Sequence, residues 1–278
     1  MVSITVDPKQ QVSIRAGEAF FQITAMDSED YPELPDVNGK SGVTMPQSAL
    51  KAMISGTIFS VSENQARPIQ TGCLMEVTED SVTMVAVDSF RLARRTWHTE
   101  NAANHTLKFV VPAAGLKEIE RILEDSDEPV TFTLGDKHIL FSIGDALLVS
   151  RVLEGEFIDW RRVVPTNCGT VLTANVAELT SSIERVSLII SEKVKSPVRC
   201  VFGDNMADFR TANTIGSAHD TCSIAGNGGE LEIGFNSRYL LDALRAKAKA
   251  LMQRDHEKPR HALRLAVGEH ALQLARRV

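Results

Sequence analysis

Along most of this chain apolar and polar residues alternate in short runs, the period of a half-buried strand. Val2 to Val6, Val12 to Ala16 and Ala19 to Ala25 read as three strands of a meander, the last two separated by Gly17-Glu18. Met26 to Asp36 follows with prolines at 32 and 35 and five acids, and predicts a linker because no regular element tolerates that composition. The period changes at Val43-Thr44-Met45-Pro46. A strand leads through a proline at the first helical turn into a helix in which Leu50, Met53 and Ile54 share one face. Gly72 to Thr78 and Val82 to Val87 return to strand character across the turn Glu79-Asp80-Ser81. Phe109 to Val111 then feeds a second helix, Pro112 to Leu123, with Leu116, Ile119, Ile122 and Leu123 on its apolar face. Val130 to Leu134, His138 to Ile143 and Ala146 to Leu153 are three more strands, joined by Gly135-Asp136 and Gly144-Asp145. The predicted class is α+β, rich in antiparallel hairpins.

The same order returns further on. Thr173 to Pro197 repeats Thr44 to Pro68 at a constant offset of 129, matching Leu50 with Leu179, Ile54 with Ile183, Glu63 with Glu192 and Pro68 with Pro197. Each copy runs strand, amphipathic helix, Ser-Glu turn, strand. Ile233-Gly234-Phe235-Asn236 leading to Tyr239 through Leu244 likewise parallels Phe109 through Pro112 leading to Leu116 through Leu123. The chain therefore holds two copies of one domain preceded by a fragment. The division expected is 1–40 for the fragment and linker, 41–165 for the middle domain and 166–278 for the last, divergent or incomplete after about 246.

Composition leaves this picture intact: 278 residues, 43% hydrophobic and 24% charged, are what two ordinary soluble domains require. No stretch of eighteen apolar residues and no basic-flanked apolar leader is present, so a cytoplasmic protein without membrane contact is expected. Cys73, Cys168, Cys200 and Cys222 lie far apart and suggest reduced, partly buried thiols rather than a zinc or redox site. A net charge of −6 argues against a protein coated with nucleic acid but permits a local basic face.

Catalytic motifs are absent from the sequence: there is no P-loop, nucleophile elbow or H-E-x-x-H. Gly226-Asn227-Gly228-Gly229 resembles a phosphate cradle but lacks the Lys-Ser/Thr ending, and a hairpin turn is expected. Glu124 to Glu128 reads as a solvated acidic loop, not a metal site. His256 and His261 flank Pro259, which denies them a shared helix face. No cofactor and no metal are expected.

Three segments are less generic: Val85-Ala86-Val87-Asp88-Ser89-Phe90-Arg91-Leu92-Ala93, Leu153 through Pro165 with Phe157-Ile158-Asp159-Trp160-Arg161-Arg162-Val163, and Glu232 through Leu244 with Asn236-Ser237-Arg238-Tyr239. Each alone reads as a strand-to-turn junction with core aromatics. In this order, with Ser187 to Arg199 and the linker Tyr31-Pro32-Glu33-Leu34-Pro35, the chain over about residues 2 to 245 resembles the bacterial sliding clamps, the beta subunits of the replicative DNA polymerase. That resemblance implies tandem DNA-clamp domains with helices on one side and antiparallel sheets on the other. It also implies a non-catalytic processivity factor whose partners are duplex DNA, the replicative polymerase, the clamp loader and other clamp-binding-motif proteins.

In the family three domains per chain and two chains make a ring, retention on DNA is topological, and contacts are phosphate-directed and weak enough to slide. Inward candidates are Lys51, Lys117, Arg121, Arg238 and Arg245 on helix faces, with Gln65 and Arg67 in the loop Glu63 to Arg67; ordinary solvated faces are the competing reading. The resemblance carries a partner-peptide pocket onto Val87, Ser89, Phe90, Arg91 and Leu92, onto Ile158, Arg162 and Val163, and onto Asn236 and Tyr239. Val87 stands where the family has threonine, and Ile158 and Trp160 where it has proline and tyrosine. Most of the first domain and the family's C-terminal tail have no counterpart here. Both contribute to ring closure in the family, so a clamp-derived peptide-binding module that does not encircle DNA is the alternative. An enzyme with an unfamiliar site is the more distant one.

Overall fold

Alternation at the start of the chain builds a sheet of its own. In the computed structural model β1 (Val2–Val6), β2 (Gln11–Ala16) and β3 (Ala19–Thr24) pair antiparallel in that order. Ile4 lies opposite Ile14 and Ile14 opposite Phe21, so Val2, Ile4, Val6, Val12, Ile14, Phe21 and Ile23 share one face. The structure describes residues 1–30, 37, 42–99, 106–164, 170–191, 196–252, 262–268 and 271–276. Met1–Asn38 forms one compact unit and Gly39–Val278 another. Of the predicted linker, Ser28–Asp30 is a short 3-10 turn and Tyr31 to Asp36 lies outside the described residues.

The second unit opens with β4 (Gly42–Pro46) and α1 (Gln47–Ser55), then β5 (Gly72–Val77), β6 (Ser81–Val87), β7 (Leu92–His98) and β8 (Leu107–Pro112). α2 (Ala113–Ile122), β9 (Pro129–Leu134), β10 (His138–Ile143) and β11 (Ala146–Arg151) complete the first repeat. Its strands form two four-stranded sheets, ordered β11-β10-β9-β4 and β7-β6-β5-β8. Leu50, Met53 and Ile54 of α1 and Leu116 and Ile119 of α2 pack with inward residues of both sheets in one core. Both prolines predicted inside helices, Pro46 and Pro112, instead stand just before them with extended backbone, where a missing N–H costs nothing. Ile122 is a correction: it is 42% exposed, and Leu123 beside it fills the core position. The acidic loop after α2 caps α1, since the Gln47 and Ser48 N–H groups donate to the carbonyls of Glu128 and Ser126, each at 2.9 Å.

β5 is buried along its whole length because both faces are covered. Cys73, Met75 and Val77 face the main core, while Leu74 packs with Val85, Val87, Val110, Phe157 and Trp160 in a second cluster. Those last two residues belong to the connector between the repeats, which includes the short helix α3 (Trp160–Val163). Burial of a sheet's second face is why β5 and β6 show apolar runs rather than strict alternation.

The last repeat contains β12 (Thr170–Asn175), α4 (Val176–Ser187), β13 (Val198–Ala212), β14 (Ser217–Phe235), α5 (Ser237–Met252), β15 (Ala262–Gly268) and β16 (Ala271–Arg276). They form one sheet ordered β13-β14-β12-β15-β16, with α4 and α5 packed on each other as α1 and α2 are. Leu179 and Ile183 are buried in this core, as their counterparts Leu50 and Ile54 are in theirs. Glu192 and Lys193, Pro165, Cys168, His256 and His261 lie outside the described residues. The glycine tetrad Gly226 to Gly229 corrects the hairpin-turn expectation, because it sits inside β14 opposite an irregularity of β13 between Phe202 and Met206. The hairpin turn itself falls between Ala212 and Ser217. The tetrad's glycines serve a bulge in which Gly228 comes so close to Phe202 that a Cβ would lie 2.0 Å from that carbonyl oxygen.

Candidate partner-binding notch

The β6–β7 hairpin meets two other elements of the second unit: α3 through an apolar cluster, and the start of α5 through Phe90 and Arg91. Asp88 builds the turn. Its Oδ1 accepts from the backbone N–H groups of Phe90 at 2.7 Å and Arg91 at 2.9 Å, and its own N–H donates to the Arg91 carbonyl at 3.1 Å. The turn drives Phe90 outward, and it is 79% exposed. Asn236 opens α5 in the same way, its Oδ1 accepting from the Arg238 N–H at 3.0 Å.

The two outer walls meet at the rings of Phe90 and Tyr239, 5.9 Å apart and inclined at 30°. Val87 is buried in a neighbouring apolar cluster, against which Leu92 and Ile158 pack. Arg91 reaches partners on both walls. Its Nε donates to Asp88 Oδ2 at 2.9 Å and its Nη1 to Asp242 Oδ2 at 2.7 Å, while its guanidinium lies over the Tyr239 ring at 4.3 Å and the Phe59 ring at 5.6 Å. Arg162 and Val163 are exposed on α3, and Arg162 pairs with Asp159 at 3.0 Å. Ser89 and Asn236 are also exposed. The structure thus brings Val87, Leu92 and Ile158 into one cluster and Phe90, Arg91 and Tyr239 into another.

Glu76 was missed in the sequence. It lies on the second face of β5 with Leu74, and its side chain is only 9% exposed. The Trp160 Nε1–H donates to Glu76 Oε2 at 3.2 Å, and Arg161 donates to both carboxylate oxygens at 3.3 and 2.9 Å. Arg161 and Arg94 both lie over the Trp160 ring, at 4.3 and 5.2 Å. Glu76 therefore holds α3 in place. Strand alternation from Leu74 could have put it on that face; nothing local named its partner.

The cations expected to face DNA are differently placed. Lys51 is partly buried, its side chain 19% exposed and paired with Asp125 at 3.2 Å. Arg121 pairs with Glu118 at 2.9 Å and Arg245 with Glu184 at 2.8 Å, though both stay exposed. Lys117, Arg238, Gln65 and Arg67 are exposed. Among the described residues no group of acids, histidines or cysteines is arranged to hold a metal ion, and no helix is long and apolar enough to cross a membrane.

Two tandem helix-pair-on-sheet repeats that touch through Phe90 and Tyr239 define the DNA-clamp class of fold. The central-domain family description of the DNA polymerase III beta subunit matches residues 44–159, and the C-terminal-domain description matches 161–274. A beta sliding clamp of Staphylococcus aureus is 30% identical over 247 residues, covering 88% of this chain and 65% of that protein's length. A DNA polymerase sliding clamp from Bacillus subtilis superposes with a TM-score of 0.84 at 28% identity, over 95% of this chain and 68% of the other. One from Pseudomonas aeruginosa, bound to griselimycin, gives 0.85 at 25% identity over 98% and 71%. The chain belongs to the DNA polymerase III beta-subunit family.

Proposed function

We propose that this chain is a sliding-clamp subunit that tethers a replicative polymerase to duplex DNA without chemistry of its own, in the cytoplasm. The observation that carries the reading is the seam itself, with the exposed Phe90 of one repeat against Tyr239 of the next and an apolar cluster around Val87 on the same β6–β7 hairpin. Such a notch suits a short peptide with two or three large apolar side chains, at about 1.5 to 3 kcal/mol each. Set against the cost of association, that gives roughly micromolar binding, near −8 kcal/mol, weak enough for the polymerase, the clamp loader and other partners to exchange. Val87, Ser89, Phe90, Arg91, Leu92, Ile158, Arg162, Val163, Asn236 and Tyr239 would line, rim or support it, and griselimycin held by the P. aeruginosa relative supports a ligand site on this fold. The domains would divide as 1–40, 41–165 and 166–278.

A second reading, a peptide-binding module that does not encircle DNA, is favoured by the acids already paired with Lys51, Arg121 and Arg245. Gel filtration of the full chain with closed circular plasmid and clamp loader, beside a titration with a fluorescent replicative-polymerase peptide, separates the two. Retention on circles that is lost on linearisation, with peptide binding, is the expected result. Peptide binding without topology-dependent retention would favour the module, and failure of both would overturn the proposal.

A further inference from the structure

Arg91 is the residue whose surroundings least fit the part assigned to it. A pocket arginine would offer its fork to a partner; here Nε and Nη1 are committed to Asp88 and Asp242, and the guanidinium lies over the rings of Tyr239 and Phe59. Its side chain is 17% exposed, Asp88's 13% and Asp242's 24%, so the network is only partly open to solvent and is screened less than surface pairs. Asp242 and Tyr239 are three residues apart on α5, on one helical face. Arg91 grips both, while Asp88 fixes the turn that presents Phe90.

We propose that Arg91 is a positioning residue, an arginine strut across the seam that ties the first turns of α5 to the β6–β7 turn and so holds Phe90 and Tyr239 together as the paired rings against which a partner's apolar side chain packs. The inference rests on the notch being the partner site. A planar two-donor fork is needed because two carboxylates on different elements must be held at once, which a lysine point charge does less well. Asp242 is then essential to partner affinity without forming part of the apolar lining.

The test is a double-mutant cycle of Arg91→Gln and Asp242→Asn, with Arg91→Lys as the conservative variant. Two readouts are taken on the full chain: affinity for the fluorescent polymerase peptide, and hydrogen exchange of the Tyr239 and Leu240 amides. Each single change is expected to weaken the peptide about 5- to 10-fold and to speed exchange by a similar factor, with the double no worse than either single. Arg91→Lys should lie close to Arg91→Gln. Asp242→Asn leaving affinity within about twofold while Arg91→Gln weakens it would overturn the strut, because Arg91 would then act on the partner directly. Should the unmodified chain bind no peptide, the notch reading fails by itself; exchange at 239 and 240 in Asp242→Asn then decides the strut, and unchanged exchange defeats it.

Discussion

A carboxylate on a strand that is otherwise apolar marks where β5 must serve two neighbours. Glu76 accepts from the indole of Trp160 and the fork of Arg161, and the buried cluster around it excludes most water. Because Arg161 is 61% exposed, the ion pair itself is discounted and the hydrogen bonds to the buried carboxylate dominate. Glu76→Gln should therefore cost about 1 to 2 kcal/mol in urea unfolding, with a shift in tryptophan emission as Trp160 loses a charged partner. The thiols act on stability in another range of pH. Burial pushes Cys73 and Cys200 up to about 12 and Cys222 to about 11 from 9.0, Cys200 and Cys222 being further raised by neighbouring negative charge. A raised pKa means the folded state holds its proton longer, so the stability linked to it is complete below pH 9 and drains away as pH climbs through 11 to 12. Urea midpoints should fall over that interval, and fall less in Cys222→Ala. If the two proteins decline in parallel, Cys222 is not among the causes.

Among the elements, β14 is where local pattern and structure part. Four residues with three glycines read as a turn, but the sheet keeps β13 and β14 paired beyond them, and the irregularity is absorbed as a bulge. Gly228→Ala would place a methyl group 2.0 Å from a backbone oxygen that has little room to move. It should cost about 3 kcal/mol, read as a lowered denaturant midpoint. Gly229, at φ +62° with nothing within 4 Å of a Cβ, should accept asparagine for less than about 1 kcal/mol. Equal costs at the two positions would mean that flexibility, not close approach, is what the glycines supply. The helices and, Ile122 apart, their buried faces were legible from period alone, since Leu50, Ile54, Leu179 and Ile183 sit where spacing put them. The seam was legible only through resemblance: Phe90 and Tyr239 are far apart in the chain, and no local rule pairs them. Glu76 with Trp160 and Arg91 with Asp242 stayed hidden for the same reason, their partners being set by how one repeat seats on the next.

At the scale of the molecule the proposed function asks how a chain of net charge −6 would meet a polyanion. The candidate cations answer it in part. Lys51, Arg121 and Arg245 already have acids at 3.2 Å or closer, which lowers what each gains from a phosphate. Arg67, Lys117 and Arg238 remain exposed. If those three alone neutralise one phosphate each, the slope of log affinity against log salt on linear duplex should be about −3 per chain. Contacts that few are shallow in energy and carry no base readout, which is what sliding demands. Lys117→Glu and Arg238→Glu should each reduce that slope by about 1 and weaken binding equally on unrelated sequences, measured by fluorescence anisotropy across a salt series. If the chain encircles DNA as proposed, retention on closed circles would be topological and should keep its half-life over the same series. A half-life that instead falls with salt along the linear-duplex slope would mean that charge alone holds the chain on DNA.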